Sequence, residues 1–302
     1  MGRTVCNTHT PFANHTITMQ KVLVTGASGF IGDYVVQELL QRNYHVIASS
    51  ANEANARQKT WFSQVDYRPL NLAHLSVGQN YFAYFDKPDI MIHLSWEGLP
   101  NYKDSFHIER NLPRHKAFLE NMIANGLQNV NITGTCFEYG MQEGKLKENI
   151  EVNPSNPYAR AKNNLRIFIE ALQKKYHFNY KWIRLFYMFG KGQNPKSLLS
   201  QLQQAIDRED ETFNMSGGEQ TRDFLPVEKV AKYIVDIAVQ ANVTGIINCC
   251  SGNPITIKAL VLNYLNQANT TIQLNLGYYP YPDYEPMHFW GDNGKLKTII
   301  HE

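Results

Sequence analysis

Lys21-Val22-Leu23-Val24-Thr25-Gly26-Ala27-Ser28-Gly29-Phe30-Ile31-Gly32 is the stretch whose reading decides the fold. It opens as a short apolar strand, passes through a turn with glycines at every third position, and runs into a helix at Asp33-Tyr34-Val35-Val36. A glycine turn between strand and helix lets backbone N–H groups and the positive end of the helix dipole face a phosphate. The G-x-x-G-x-x-G spacing differs from the commoner G-x-G-x-x-G. Gly26, Ser28, Gly29, Phe30, Ile31 and Gly32 are thus expected around the phosphates of a dinucleotide.

Outward from this turn, apolar runs suited to strands alternate with helical patterns. Strands are expected at 45–48, 64–67, 89–94, 129–133, 180–186 and 245–250, and helices over 114–125, 158–176, 197–208 and 228–240. Such alternation implies βαβ units and a parallel sheet, with ligands at the carboxyl ends of the strands. The expected fold class is α/β, a Rossmann doubly wound parallel sheet with a smaller C-terminal substrate-binding domain. The dinucleotide-binding domain is expected over 19–186, with 226–252 returning to it. The substrate domain is expected over 187–225 and 253–302. Residues 1–18 are polar, aperiodic and without the apolar core of a signal peptide, and read as a tail outside the fold.

Whole-chain properties narrow the function. The 302 residues are 43% hydrophobic and 19% charged, with a net charge of +2, which points away from nucleic acid and anionic membranes. No stretch approaches the ~18 consecutive apolar residues of a membrane span. The cysteines, Cys6, Cys136, Cys249 and Cys250, show no C-x-x-C spacing and suggest reduced thiols, with no metal site. A cytoplasmic enzyme acting on a small molecule is the expectation.

Chemistry enters with Tyr158-Ala159-Arg160-Ala161-Lys162. Residues i and i+4 share a helix face, so a phenol and an ammonium become neighbours. A nearby cation is expected to pull the phenol down from its usual value of about 10. Together with the glycine turn, this motif resembles the extended short-chain dehydrogenases/reductases, the NAD-dependent epimerase/dehydratase group that acts on nucleotide-sugars. His93-Leu94-Ser95-Trp96, the run from Thr133 to Gly140, and Arg222-Asp223-Phe224-Leu225-Pro226-Val227 extend the resemblance, which covers nearly all of 19–302.

The resemblance implies roles. Thr135, Tyr158 and Lys162 would be catalytic: Thr135 holding the reacting sugar oxygen, Tyr158 transferring the proton, and Lys162 binding the nicotinamide ribose. Ser49, Ser50, Asn71, Leu72, Leu94, Ser95, Trp96 and Thr133 would add cofactor contacts. Glu97, Cys136, Phe137 and Tyr187 would border the substrate, and Arg222 would meet its pyrophosphate with a planar guanidinium. Asn111 would be a supporting buried amide. Family members that bind NAD carry an acidic residue at the end of the second strand, about 20 residues past the glycines. Here Ser49-Ser50 stand there, with Arg57 beyond, so NADP(H) is expected ahead of NAD(H). Glu53 is the residue that would restore NAD.

Dehydration is disfavoured, because Cys136 and Phe137 stand where dehydratases carry Asp and Glu. The segment 133–140 and the ending 284–292 resemble the 4-ketoreductases of nucleotide-linked 6-deoxy sugars, of the dTDP-fucose-forming type. The expected reaction is NADPH-dependent reduction of the C4 ketone of an NDP-4-keto-6-deoxyhexose, most simply a dTDP-linked one. An NAD-dependent 4-epimerase is the alternative, and a non-catalytic NADP-binding regulator the rival from another class. The same resemblance implies a homodimer built on helices 114–125 and 158–176.

Overall fold

The computed structural model describes residues 19–300, so the expected tail at 1–18 lies outside the described residues. Its strands are β1 Lys21–Thr25, β2 His45–Ser49, β3 Asp66–Tyr67, β4 Ile90–His93, β5 Asn129–Thr135, β6 Gly144–Leu146 and β7 Asn179–Leu185. They continue as β8 Tyr187–Phe189, β9 Thr212–Asn214, β10 Thr221–Pro226, β11 Gly245–Cys249, β12 Pro254–Thr256, β13 Gln273–Asn275 and β14 Phe289–Gly291. The helices are α1 Phe30–Gln41, α2 Glu53–Arg57, α3 Tyr81–Tyr84, α4 Leu112–Ala124 and α5 Pro157–Leu172. After them come α6 Leu198–Asp207, α7 Val227–Val239, α8 Ile257–Gln267 and α9 Gly294–Lys297.

Seven strands form one parallel sheet in the order β11-β7-β5-β4-β1-β2-β3. The order reverses between β1 and β4, and that switch point opens a crevice at the strand ends. Alternate residues of β1 feed the two faces. Val22 and Val24 pack with α1 (Val35, Val36, Leu39) and α7 (Val230, Ile234, Ile237). Leu23 packs with α4 (Phe118, Leu119, Met122) and α5 (Leu165, Ile169) on the other face. Strands buried on both sides need such nearly continuous apolar runs.

The glycine turn is forced by close approach. Gly26 has φ +73°, and a Cβ there would lie 2.9 Å from the Ser95 amide nitrogen. A Cβ on Gly32 would fall on the Gly26 carbonyl, so neither position admits a larger residue without movement. The helix begins at Phe30, three residues earlier than the expected Asp33, because Gly29 adopts the extended N-cap conformation.

Smaller sheets build the region beyond the strand ends: β12-β10-β8, β13-β9 and β14-β6. The α6 and α8 helices close over Phe213 through Leu199, Leu202, Val261 and Leu265. The expected strand at 180–186 is β7, which stays in the main sheet; β8, directly after it, pairs with β10. Among the described residues, no helix is long and apolar enough to cross a membrane, and no three His, Cys, Asp or Glu side chains gather to hold a metal ion.

Candidate active site

A cleft of about 760 Å³ lies at the switch point, lined by Gly26, Gly29, Phe30, Leu94, Trp96 and Tyr187 among others. Its floor fits a dinucleotide phosphate. No side chain caps α1, which leaves the first-turn amide donors available for an anion. Leu94 and Trp96 border the same cleft, and the Ser95 backbone packs against Gly26.

Three predicted catalytic residues converge from two elements, β5 and α5. Thr135 ends β5, where its amide donates to Glu138 Oε1 (2.9 Å) and its Oγ1 accepts from the Phe137 amide (3.3 Å). These paired bonds form a capping box that fixes the hydroxyl. Glu138 is itself buried and held by Trp182 Nε1 (2.9 Å) and Arg184 Nε (2.8 Å). Tyr158 and Lys162 share the first turns of α5, which starts at Asn156 as N-cap and Pro157 behind it. Lys162 Nζ donates to the Thr133 carbonyl at 2.9 Å. Thr133 Oγ1 donates to the His93 carbonyl at 3.3 Å.

Burial dominates the electrostatics. Desolvation pushes the Tyr158 phenol well above its ordinary value, with Tyr102 adding to the rise and hydrogen bonding by Thr135 opposing it. The expected lowering of Tyr158 by its neighbouring cation is therefore not what the geometry gives. Burial instead brings Lys162 down to about 7, with the Glu138 charge working against the fall. Desolvation also pushes the Cys136 thiol upward, so Cys136 stands as a protonated, small wall residue.

Aromatic rings enclose the phenol. Tyr102 packs 5.5 Å from Tyr158 and 5.0 Å from Phe137, and Tyr284 lies 5.8 Å from Tyr102. Phe137 contacts Tyr187 edge-on at 6.2 Å. Tyr187 donates a short hydrogen bond to Glu285. Glu285 also pairs with Arg222, whose Nε is 3.1 Å away. The expected pyrophosphate ligand Arg222 is thus 3% exposed, bound to the Thr221 and Met287 carbonyls and lying 4.5 Å over Phe289. Asp223 does not pair with it; that carboxylate accepts from the Ser251, Gly252 and Gly291 amides.

Glu97 does not join the group, because it is exposed and sits 3.7 Å from Arg114 on α4. Asn111 is buried and donates to the Glu97 carbonyl at 3.0 Å. At the carboxyl end of β2, the NADP(H) preference finds no support. Ser49 and Ser50 are buried, and Ser50 Oγ meets Tyr67 Oη at 3.0 Å and the Asn52 carbonyl at 3.4 Å. Arg57 is paired with Glu53 at 2.5 Å on α2. Asn71 caps the turn Leu72–His74 by accepting from the Ala73 amide.

Sequence reading missed Glu285, Tyr102 and Tyr284. Glu285 and Tyr284 lie in an aperiodic Pro- and Tyr-rich stretch, and Tyr102 in a loop, so no spacing marked them. It also missed a buried polar chain beneath the cleft, Thr25 Oγ1 to His93 Nδ1 and His93 Nε2 to His115 Nδ1, each 2.7 Å.

Comparison with known proteins agrees with this architecture. The model of the "NAD dependent epimerase/dehydratase family" matches residues 22–250. A dTDP-6-deoxy-L-talose 4-dehydrogenase (NAD(+)) of Aggregatibacter actinomycetemcomitans is 29% identical over 278 residues, 89% of this chain and 98% of that protein. Among solved structures, a UDP-N-acetylglucosamine 4-epimerase from Methanobrevibacter ruminantium M1 superposes with a TM-score of 0.82 at 21% identity, covering 95% of this chain and 93% of that one. A UDP-glucuronic acid 4-epimerase from Bacillus cereus, solved with UDP-glucuronic acid and NAD, gives 0.79 at 22% identity, covering 93% and 92%.

Proposed function

The chain belongs to the NAD dependent epimerase/dehydratase family, and from that premise we propose that it interconverts the C4 ketone and C4 alcohol of a nucleotide-linked 6-deoxyhexose. The observation that carries this reading is the convergence of Thr135, Tyr158 and Lys162 behind Trp96 and Tyr102, which line the cleft at the glycine turn. A bound nicotinamide dinucleotide supplies the hydride for reduction, or accepts it for oxidation. Its phosphates would be held by the amides of Phe30 to Gly32, and its nicotinamide ribose by Lys162. Thr135 hydrogen-bonds the C4 oxygen. Tyr158 donates its proton to that oxygen as negative charge develops, and takes it back in the reverse direction.

Burial favours the protonated phenol, the form that reduction needs. The aromatic wall of Tyr102, Phe137, Tyr187 and Tyr284 suits a methyl group at C6 better than a hydroxymethyl or a carboxylate. The relative named as a dTDP-6-deoxy-L-talose 4-dehydrogenase supports both the C4 chemistry and a dTDP-linked substrate. That relative uses NAD(+) by name, and Ser50 and Arg57 are engaged elsewhere. NAD(H) is therefore the cofactor we assign, with Glu53, first residue of α2, sharing its carboxylate between Arg57 and the ribose hydroxyl. We further assign a homodimer paired through α4 and α5, where Ile167 leaves 49% of its surface exposed.

A 4-epimerase is the second reading, favoured by fold neighbours that are 4-epimerases. The two separate in one assay. With a dTDP-4-keto-6-deoxyhexose, a reductase consumes one NADH per sugar, followed by absorbance. An epimerase consumes none and instead interconverts C4 epimers of an NDP-hexose, an outcome that would sink the reductase.

A further inference from the structure

The geometry points to Trp96 as the positioning residue that holds Lys162 as a cation beneath the cleft. The inference rests on Tyr158 and Lys162 being the acid–base pair proposed above. Lys162 has three donors and is 2% exposed, yet among the described residues its ammonium donates one hydrogen bond, to the Thr133 carbonyl. The Trp96 ring supplies a second partner, 4.1 Å from Nζ to the ring centre. A desolvated ammonium over an indole face is held more strongly than an exposed one.

The indole is itself fixed. Its Nε1 donates to His107 Nδ1 at 3.1 Å, and His107 Nε2 then donates to the Asn101 carbonyl at 3.0 Å. His115 stacks on the same indole at 4.5 Å with a 20° interplanar angle. Tyr158 meets it nearly edge-on at 6.0 Å. One ring thus touches both members of the proposed pair.

Other groups around the ammonium do not replace this contact. His93 from β4, His107 from the π turn His107–Asn111 and His115 from α4 are all pushed toward the neutral form by burial. Arg114 adds like charge near His115, and Tyr102 and Cys136 are pushed toward their neutral forms. Glu138 is the anion acting on Lys162, and it is already committed to Arg184 and Trp182. Burial works against the charged lysine, and the indole works for it.

The test reads Lys162 directly, without turnover. Protein labelled with [ε-¹³C]lysine is titrated by NMR, the Lys162 resonance being identified by its loss in Lys162→Met. Trp96→Leu is expected to lower the midpoint by about one pH unit, and Trp96→Phe, which keeps a weaker π face, by less. The phenylalanine variant carries the test alone if the leucine variant does not fold. In the oxidative direction, the acidic limb of kcat/KM should move to higher pH in the same order, since a weaker cation disfavours phenolate. A midpoint that stays or rises in both variants overturns the inference. Because the titration needs no substrate, failure of every nucleotide-sugar to react would overturn the proposed function and leave this result intact.

Discussion

At the scale of single residues, the site depends on the difference between a phenol that burial keeps protonated and an ammonium that burial destabilises. Tyr158→Phe removes the proton donor and keeps the ring, so kcat should fall by about 10²- to 10⁴-fold with NADH affinity little changed; steady-state kinetics with a parallel binding titration checks it. Glu53→Ala should weaken NADH binding by roughly tenfold while leaving NADPH binding less affected; fluorescence titration of both nucleotides decides, and equal losses would remove Glu53 from the ribose. Tyr158 and Lys162 were legible because residues four apart share one helix face, and Thr135 because the segment 133–140 resembles that of the family. Glu285 and Tyr102 were not, since they reach the site through loops whose course follows from tertiary packing. The partner of Arg222 was not legible, because Glu285 is 63 positions away in the chain.

At the scale of elements, pieces of the candidate site stand at the carboxyl ends of strands of the main sheet. β5 ends in Thr135 and β1 in the glycine turn. β7 shows the contrast: Arg184 lies near its carboxyl end, under the Glu138 carboxylate, whereas Lys181 lies toward its start, away from the cleft. Lys181 is 1% exposed, with Nζ 3.0 Å from Asn129 Oδ1 and 3.3 Å from the Ala238 carbonyl. Burial lowers it from 10.5 to about 8. A lysine lowered in the folded state costs stability while it is charged there, fully below its folded value, and the cost vanishes as pH rises toward the unfolded value. Lys181→Met should therefore raise Tm at pH 6.5 by about 3 °C, with the gain shrinking as the pH passes 8 toward 10, and with kcat unchanged. Thermal unfolding across that pH series checks it, and a gain independent of pH would show that packing, not charge, is responsible. The strands of the main sheet were legible from apolar runs, but the short strands β6, β9, β12, β13 and β14 were not. At three residues each they leave no period to detect.

For the whole molecule, the main sheet supplies the glycine turn on one side of the cleft and β8 and β10 of a small sheet line the other, so the cleft exists only when both are assembled. The parallel sheet was readable because βαβ alternation permits few topologies. The direction and partner of the reaction were harder to read, since a reductase and an epimerase place the same three residues at the same oxygen. Transfer of isotope separates them. The enzyme is incubated with a dTDP-4-keto-6-deoxyhexose and NADH deuterated at the transferable position, and the sugar is examined by NMR. One deuterium bound at C4 of the product sugar, at one per NADH consumed, is the predicted result. An unlabelled sugar with NADH unconsumed, or deuterium at any other carbon, would contradict a C4 oxidoreductase.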